Sequence, residues 1–109
     1  MSQLQDYLKT RKPGGKPLRW IVCADGFSIS VQASHGCFCT PQRDKGPWTE
    51  VECGYPSSTD PMLDPYLDGA DSAVYGHVPI AIVERLLASH GGWITPTDDG
   101  VHGHAKVRT

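Results

Sequence analysis

The dipeptide Asp25-Gly26 lies between two runs of alternating apolar and polar residues, and it is the feature that most restricts how this chain folds. Such alternation is typical of half-buried strands, and Asp-Gly is a preferred sequence for a two-residue type I′ hairpin turn. Because directly opposed residues share a face, a two-residue turn puts Ile21 and Cys23 on the largely solvent-exposed face. The same pairing predicts a core face of eight apolar residues: Leu18, Trp20, Val22, Ala24, Phe27, Ile29, Val31 and Ala33.

The rest of the chain predicts further strands and one helix. Residues 48–55 alternate, which predicts a third strand, and residues 73–78 are a candidate fourth strand. Pro79 suits the first turn of a helix, residues 91–92 are glycines that suit its left-handed end, and residues 93–94 belong to a candidate final strand. The helix has an apolar stripe composed of Ile80, Val83, Leu86, Leu87 and His90.

These elements predict an α+β fold, in which an antiparallel sheet of three to five strands carries one main amphipathic helix on one face. A chain of 109 residues has room for one hydrophobic core. We therefore expect a single α+β domain over residues 17–95. Residues 1–16 would form an N-terminal arm or short helix, and residues 96–109 a flexible tail.

The charge of the chain is nearly balanced but unevenly distributed. The formal net charge of −2 argues against a strongly basic nucleic-acid binder. No apolar run approaches the length of a membrane span, so we expect a cytoplasmic protein without membrane contact. Residues 46–83 contain no Lys or Arg, and their carboxylates are Glu50, Glu52, Asp60, Asp64, Asp68 and Asp71.

Aromatic residues are interspersed in this acidic stretch, and the combination indicates a protein-binding surface. Carboxylates accelerate the approach of a basic partner, and buried aromatic side chains then hold the complex. The alternative is an ordinary solvated surface, since unpaired charge also serves solubility. The candidate partner-binding residues are Trp48, Glu50, Glu52, Tyr55, Asp60, Asp64 and Tyr66.

Four cysteines and one nearby histidine suggest a zinc site as an alternative. The candidate ligands are His35, Cys37, Cys39 and Cys53. On a regular strand the first three would share a side but stand too far apart for one tetrahedral ion, and Gly36 would have to provide a bend. Zinc modules usually carry paired ligands two to four residues apart, and buried reduced thiols are common. We therefore expect no metal and no other cofactor.

Catalysis is also disfavoured. Cys37 or Cys39 could pair with His35 or His77 as an activated thiol. Neither cysteine lies in a recognisable cysteine-enzyme motif, and the chain lacks the common serine-hydrolase, phosphate-loop and zinc-protease motifs. We expect a protein that is not an enzyme.

Three blocks of sequence resemble small uncharacterised proteins of bacteriophages and prophages. The blocks are residues 19–34 (RWIVCADGFSISVQAS), 46–57 (GPWTEVECGYPS) and 74–79 (VYGHVP), the last leading into the helix. The resemblance spans roughly residues 17–92 and brings no catalytic motif with it. It implies a setting in the bacterial host cell, where compact phage proteins often bind host machinery and where anti-CRISPR inhibitors have this size.

The leading hypothesis is therefore a non-catalytic phage-type protein that binds and inhibits a host protein, such as a CRISPR-Cas or other defence component. The acidic stretch would bind a surface of the host protein that otherwise binds nucleic acid. One alternative is a small zinc-stabilised binding module. Another is a nucleic-acid-binding accessory protein whose basic arm contains Lys9, Arg11, Lys12 and Lys16. A homodimer paired through an exposed sheet edge is a further expectation.

Overall fold

The computed structural model describes residues 3–11, 16–69 and 72–94. The elements are α1 (Gln3–Leu8), β1 (Ile21–Cys23), β2 (Ser28–Gln32), β3 (Glu50–Gly54), a 3-10 helix (Asp64–Tyr66), β4 (Val74–Pro79), α2 (Ile80–Ser89) and β5 (Trp93–Ile94). The predicted tail over residues 96–109 lies outside the described residues.

The strands form one antiparallel sheet with the order β4-β3-β2-β1-β5. Three buried residues of α2, namely Val83, Leu86 and Leu87, belong to the same hydrophobic cluster as Ile29 of β2 and Val51 of β3. The predicted α+β class, with one main helix on one face of an antiparallel sheet, is confirmed.

The hairpin forms where the sequence predicts it, but its register differs by one residue. The backbone N–H of Cys23 donates to the Phe27 carbonyl at 2.8 Å, and Ile21 lies opposite Ile29. The turn therefore contains three residues rather than two. Gly26 takes the left-handed conformation, with φ at 96°, that such a turn requires at its last position.

This shift exchanges the two faces of β1, because neighbouring side chains of a strand point in opposite directions. Ile21 and Cys23, expected on the exposed face, are fully buried in the core. Trp20, expected in the core, is 48% exposed. Val22 lies opposite Ser28 rather than Ile29, and it is buried outside the main core cluster.

A proline and a glycine lie at the two ends of α2. Pro79, expected in the first turn of the helix, is instead the last residue of β4 and immediately precedes α2, with an extended ψ of 140°. Gly91 has a φ of 89° and follows the last turn, where a left-handed residue ends the helix.

The N-terminal segment belongs to the core. Leu4, Tyr7 and Leu8 of α1 are buried, and the Tyr7 hydroxyl donates to the Arg19 carbonyl at 2.6 Å. The Tyr7 ring also contacts Trp93 of β5 edge to face, with 5.4 Å between centroids. Residues Gln3–Leu8 are therefore a short helix that packs in the core.

None of the helices within the described ranges has both the length and the hydrophobicity needed to cross a bilayer.

Candidate functional site

The face of the sheet opposite α2, here called the outer face, carries the carboxylates of β3. Val51 and Cys53 are fully buried in the core. Because strand side chains alternate between faces, Glu50 and Glu52 project the other way and are partly exposed. The two carboxylates therefore lie outside the core, as the alternation of the strand predicts.

The segment around Phe38 is fixed to β3 and β4 by hydrogen bonds. The backbone N–H of Phe38 donates to Oε1 of Glu52 at 2.8 Å. The carbonyl of Phe38 accepts from the backbone N–H of His77 at 2.9 Å, and Thr40 forms a backbone bridge with Glu50. Both the N–H and the carbonyl of Phe38 are therefore hydrogen-bonded, and the residue is 44% exposed.

Thr40, Glu50 and His77 form a compact polar cluster beside Phe38. The Thr40 hydroxyl donates to Oε1 of Glu50 at 2.8 Å, and its Oγ1 lies 3.2 Å from Nδ1 of His77. Nδ1 of His77 is also 3.3 Å from Oε1 of Glu50. His77 has a φ of 51°, which is uncommon for a residue other than glycine and costs on the order of 1 kcal/mol. The surrounding contacts hold it in this conformation.

A cleft of about 340 Å³ opens beside this cluster, and we call it the outer-face cleft. Its lining residues come from residues 35–40, from the loop around the 3-10 helix and from β4. They are Phe38, Tyr66, Leu67, Asp68, Gly76 and His77. Phe38 and Leu67 are exposed apolar residues, Tyr66 is half-buried, and Asp68 supplies a carboxylate at the rim.

A second aromatic feature lies at the end of β3. The rings of Trp20 and Tyr55 are nearly parallel, at 3°, with 6.0 Å between centroids. Tyr55 is 55% exposed and has a φ of 52°. Ser30 pairs with Gly54, and the β1–β2 register extended by one residue places Trp20 across from Ser30 as well. The two rings therefore flank β2 on the outer face.

The structure corrects the role expected of Trp48. Its side chain is only 2% exposed and belongs to the core cluster, and its Nε1 donates to the Arg43 carbonyl at 3.0 Å. A partner could reach this ring only if the core opened. Trp48 therefore stabilises the fold and does not belong to the candidate surface.

The remaining predicted residues divide between two places. Tyr66 lines the outer-face cleft, and Asp64 is exposed at the start of the same 3-10 helix. Asp60 accepts from the backbone N–H of Met62 at 2.9 Å, and its Oδ2 lies 3.9 Å from Nε2 of His90. Asp60 is therefore engaged with the end of α2.

His90 joins a carboxylate cluster that the sequence did not suggest. Its ring stacks on Phe27 at 4.0 Å between centroids, and its Nδ1 lies 2.7 Å from Oδ2 of Asp25. Among the described residues, its buried Nε2 has no hydrogen-bond partner. The backbone N–H of Phe27 and then the His90 side chain hold the pKa of Asp25 below its usual value of 3.8.

The zinc ligand set is not brought together. His35 is exposed, and its Nδ1 pairs with Asp44 at 2.8 Å. Within residues 3–11, 16–69 and 72–94, no group of three His, Cys, Asp or Glu side chains converges in a way that could hold a metal ion. All four cysteines are buried as free thiols: Cys23, Cys37, Cys39 and Cys53.

Burial also makes three of these thiols poor nucleophiles. It raises the pKa of Cys53 to about 12 and that of Cys23 to about 11, with smaller contributions from the neighbouring acidic side chains. The pKa of Cys39 is raised in the same direction, and its thiol donates to the Ser34 carbonyl at 3.2 Å. These thiols remain protonated at neutral pH, when the thiolate is the reactive form.

Sequence reasoning missed most of the cleft. The sequence interpretation assigns no role to Phe38 and treats His77 only as a possible base for a thiol. Asp68 was counted in the acidic stretch without a specific role. The available signal was composition alone, because the cleft depends on hydrogen bonds between segments far apart in sequence.

No protein-family model matches this chain, and no match was found among curated proteins or solved structures.

Proposed function

We propose that this chain is a non-catalytic binding protein that captures a basic protein partner through the outer face of its sheet. The observation that carries the proposal is the outer-face cleft. There the exposed side chains of Phe38 and Leu67 adjoin the carboxylates of Glu50, Glu52 and Asp68.

The carboxylates and the apolar side chains of this surface have different roles in binding. The carboxylates of Glu50, Glu52 and Asp68 contribute negative charge, and residues 46–83 contain no Lys or Arg to offset it, which accelerates the encounter with a basic partner. The exposed aromatic and aliphatic side chains then supply the area that is desolvated in the complex. The Trp20 and Tyr55 rings extend the apolar part of the same face.

The resemblance to phage and prophage proteins supports a bacterial host protein as the partner. A carboxylate-rich surface suits a basic site that otherwise holds nucleic acid, as in a CRISPR effector or another defence component. Binding would then inhibit the host protein by covering that site. The cytoplasm of the host cell is the corresponding location.

The test compares two charge-neutralising variants for capture of host proteins at about 50 mM and about 300 mM salt. The first, Asp64→Asn with Asp68→Asn, changes exposed carboxylates near the cleft. The control, Asp6→Asn with Glu84→Gln, makes the same change in net charge on the helices. Glu50 and Glu52 are left intact because their side chains position Thr40 and Phe38.

We expect wild type and control to capture one stoichiometric host protein at low salt, and the cleft variant to lose at least about fivefold in affinity. Equal capture by all three proteins would contradict a role for this surface. Recovery of nucleic acid without protein would contradict the proposal and would favour the exposed Trp20 and Tyr55 rings as a base-stacking site.

A further inference from the structure

We infer that the outer-face cleft receives an arginine side chain of the partner. This inference rests on the proposed function, because it specifies what the cleft recognises. Aromatic side chains, Phe38 and Tyr66, and one carboxylate, Asp68, line a cavity of about 340 Å³. Aromatic walls with an acidic rim suit an occupant that is flat, partly apolar and positively charged.

The charge of the cleft favours a cation. Its six lining residues include Asp68 and no Lys or Arg. Glu50 lies next to the lining residue His77, with 3.3 Å between Oε1 and Nδ1, and Glu52 accepts from the backbone of Phe38. The lining therefore contributes one carboxylate and no Lys or Arg side chain, and two further carboxylates contact lining residues.

The shape and chemistry of the lining favour arginine over lysine. A guanidinium is planar and weakly hydrated, so it stacks on aromatic faces and binds a carboxylate with two parallel hydrogen bonds. An ammonium is compact and strongly hydrated, and it uses neither feature well. The cavity volume is at the lower end of the roughly 300–1,000 Å³ found for small-molecule pockets, which suits one long side chain.

The cleft is formed before the partner arrives. Phe38 is fixed through both its N–H and its carbonyl, and its ring lies over Gly76. A β-carbon at position 76 would lie only 3.1 Å from Cβ of Phe38, so glycine permits this close approach. His77 is held by Thr40 and Glu50. Little ordering entropy is then lost when the arginine binds.

The test is a titration of the isotope-labelled full chain with N-acetyl-arginine amide, followed by amide chemical shifts. The comparison ligands are N-acetyl-citrulline amide, a neutral compound of the same shape, and N-acetyl-lysine amide. We expect saturable shifts centred on Phe38, Leu67, Asp68 and His77. Citrulline should bind at least about fivefold more weakly than arginine, and lysine about threefold more weakly.

Asp68→Asn should weaken arginine binding about fivefold and leave citrulline binding unchanged. Its side chain is exposed, and its backbone N–H donates to the Val74 carbonyl whether the side chain is Asp or Asn, so this variant should fold. Glu84→Gln on α2 is the control and should bind as wild type does.

Equal binding of arginine and citrulline, or shifts elsewhere on the protein, would overturn the inference. The experiments distinguish a failure of the arginine inference from a failure of the proposed function. Salt-sensitive capture of a host protein that is lost in the Asp64→Asn, Asp68→Asn variant would still support the acidic surface. Arginine binding without capture of any protein would support the cleft alone.

Discussion

Nδ1 of His90 lies 2.7 Å from Oδ2 of Asp25, across a sequence separation of 65 residues. This contact joins the end of α2 to the turn between β1 and β2. Two backbone bonds accompany it, from Asp25 N–H to the His90 carbonyl at 3.2 Å and from Ala24 N–H to the Gly92 carbonyl at 2.9 Å. The turn and the helix end are therefore fixed against each other.

Replacing His90 with alanine should destabilise the protein by about 1–3 kcal/mol. The substitution removes both the stack on Phe27 and the hydrogen bond to Asp25, and each such interaction contributes about 0.5–1.5 kcal/mol. Urea unfolding measures the change. His35→Ala is the control, because His35 also pairs with an aspartate but is exposed, and it should cost less than about 0.5 kcal/mol. Equal losses would contradict the structural role of His90.

Stability should fall in acid as Asp25 and Asp44 are protonated. Backbone N–H groups, of Phe27 and His35 respectively, and then the histidine side chains, hold the pKa of each carboxyl below 3.8 in the folded state. The unfolded chain therefore binds these protons first as pH drops, so this part of the stability is present above pH 3.8 and is lost below it.

Urea unfolding at a series of pH values between about pH 2 and pH 5 measures this slope. Asp25→Asn with Asp44→Asn should flatten the slope, because asparagine does not titrate. An unchanged slope in the double variant would show that other carboxylates carry the acid sensitivity.

The hairpin register makes opposite predictions for two neighbouring residues. Ile21→Ala should cost about 2–5 kcal/mol, because Ile21 is fully buried in the core. Trp20→Ala should cost much less, about 1 kcal/mol, because Trp20 is half exposed and its ring stacks on Tyr55. The two-residue turn would give the reverse order, so unfolding both variants in urea distinguishes the two registers.

Local sequence features predicted where the helix and the hairpin lie more successfully than which face of each strand is buried. Pro79 and Gly91 mark the ends of α2 because their backbone preferences act within one turn of the chain. Asp25-Gly26 predicted the hairpin, but a glycine with positive φ suits both two-residue and three-residue turns, so the dipeptide alone could not fix the register. The apolar Ile21 and Cys23 on the face expected to be exposed were the available warning.

The cleft could not be predicted, because no short-range rule brings Phe38 to Gly76 and His77. Their proximity depends on the β3–β4 pairing, on the irregularity between Val51 and Cys53, and on the hydrogen bonds that fix residues 35–40. Trp48 shows the converse difficulty. An acidic segment that contains an aromatic residue has the same composition whether that residue lies in the core or on a binding surface.

The thiols of Cys23 and Cys53 should resist alkylation in the folded protein. Both are fully buried, and burial raises their pKa values to about 11 and about 12. Iodoacetamide at about pH 8, followed by mass spectrometry, should label them only after denaturation. Because the unfolded thiols ionise first, stability should also fall as pH rises above 9.0. Rapid labelling of Cys53 in the folded protein would contradict its burial.

Gly76→Ala should narrow the outer-face cleft while leaving the fold intact. The added β-carbon would lie 3.1 Å from Cβ of Phe38, which moves only with its backbone, so the Phe38 segment must shift by a few tenths of an ångström and arginine-amide affinity should fall at least about threefold. Gly54→Ala is the matched control on the neighbouring strand, where the nearest atoms lie at 3.8 and 3.9 Å and need not move. Amide-shift titration measures affinity, and urea unfolding verifies that both variants fold. Equal affinity in the two variants would mean that the position of Phe38 does not shape the arginine site.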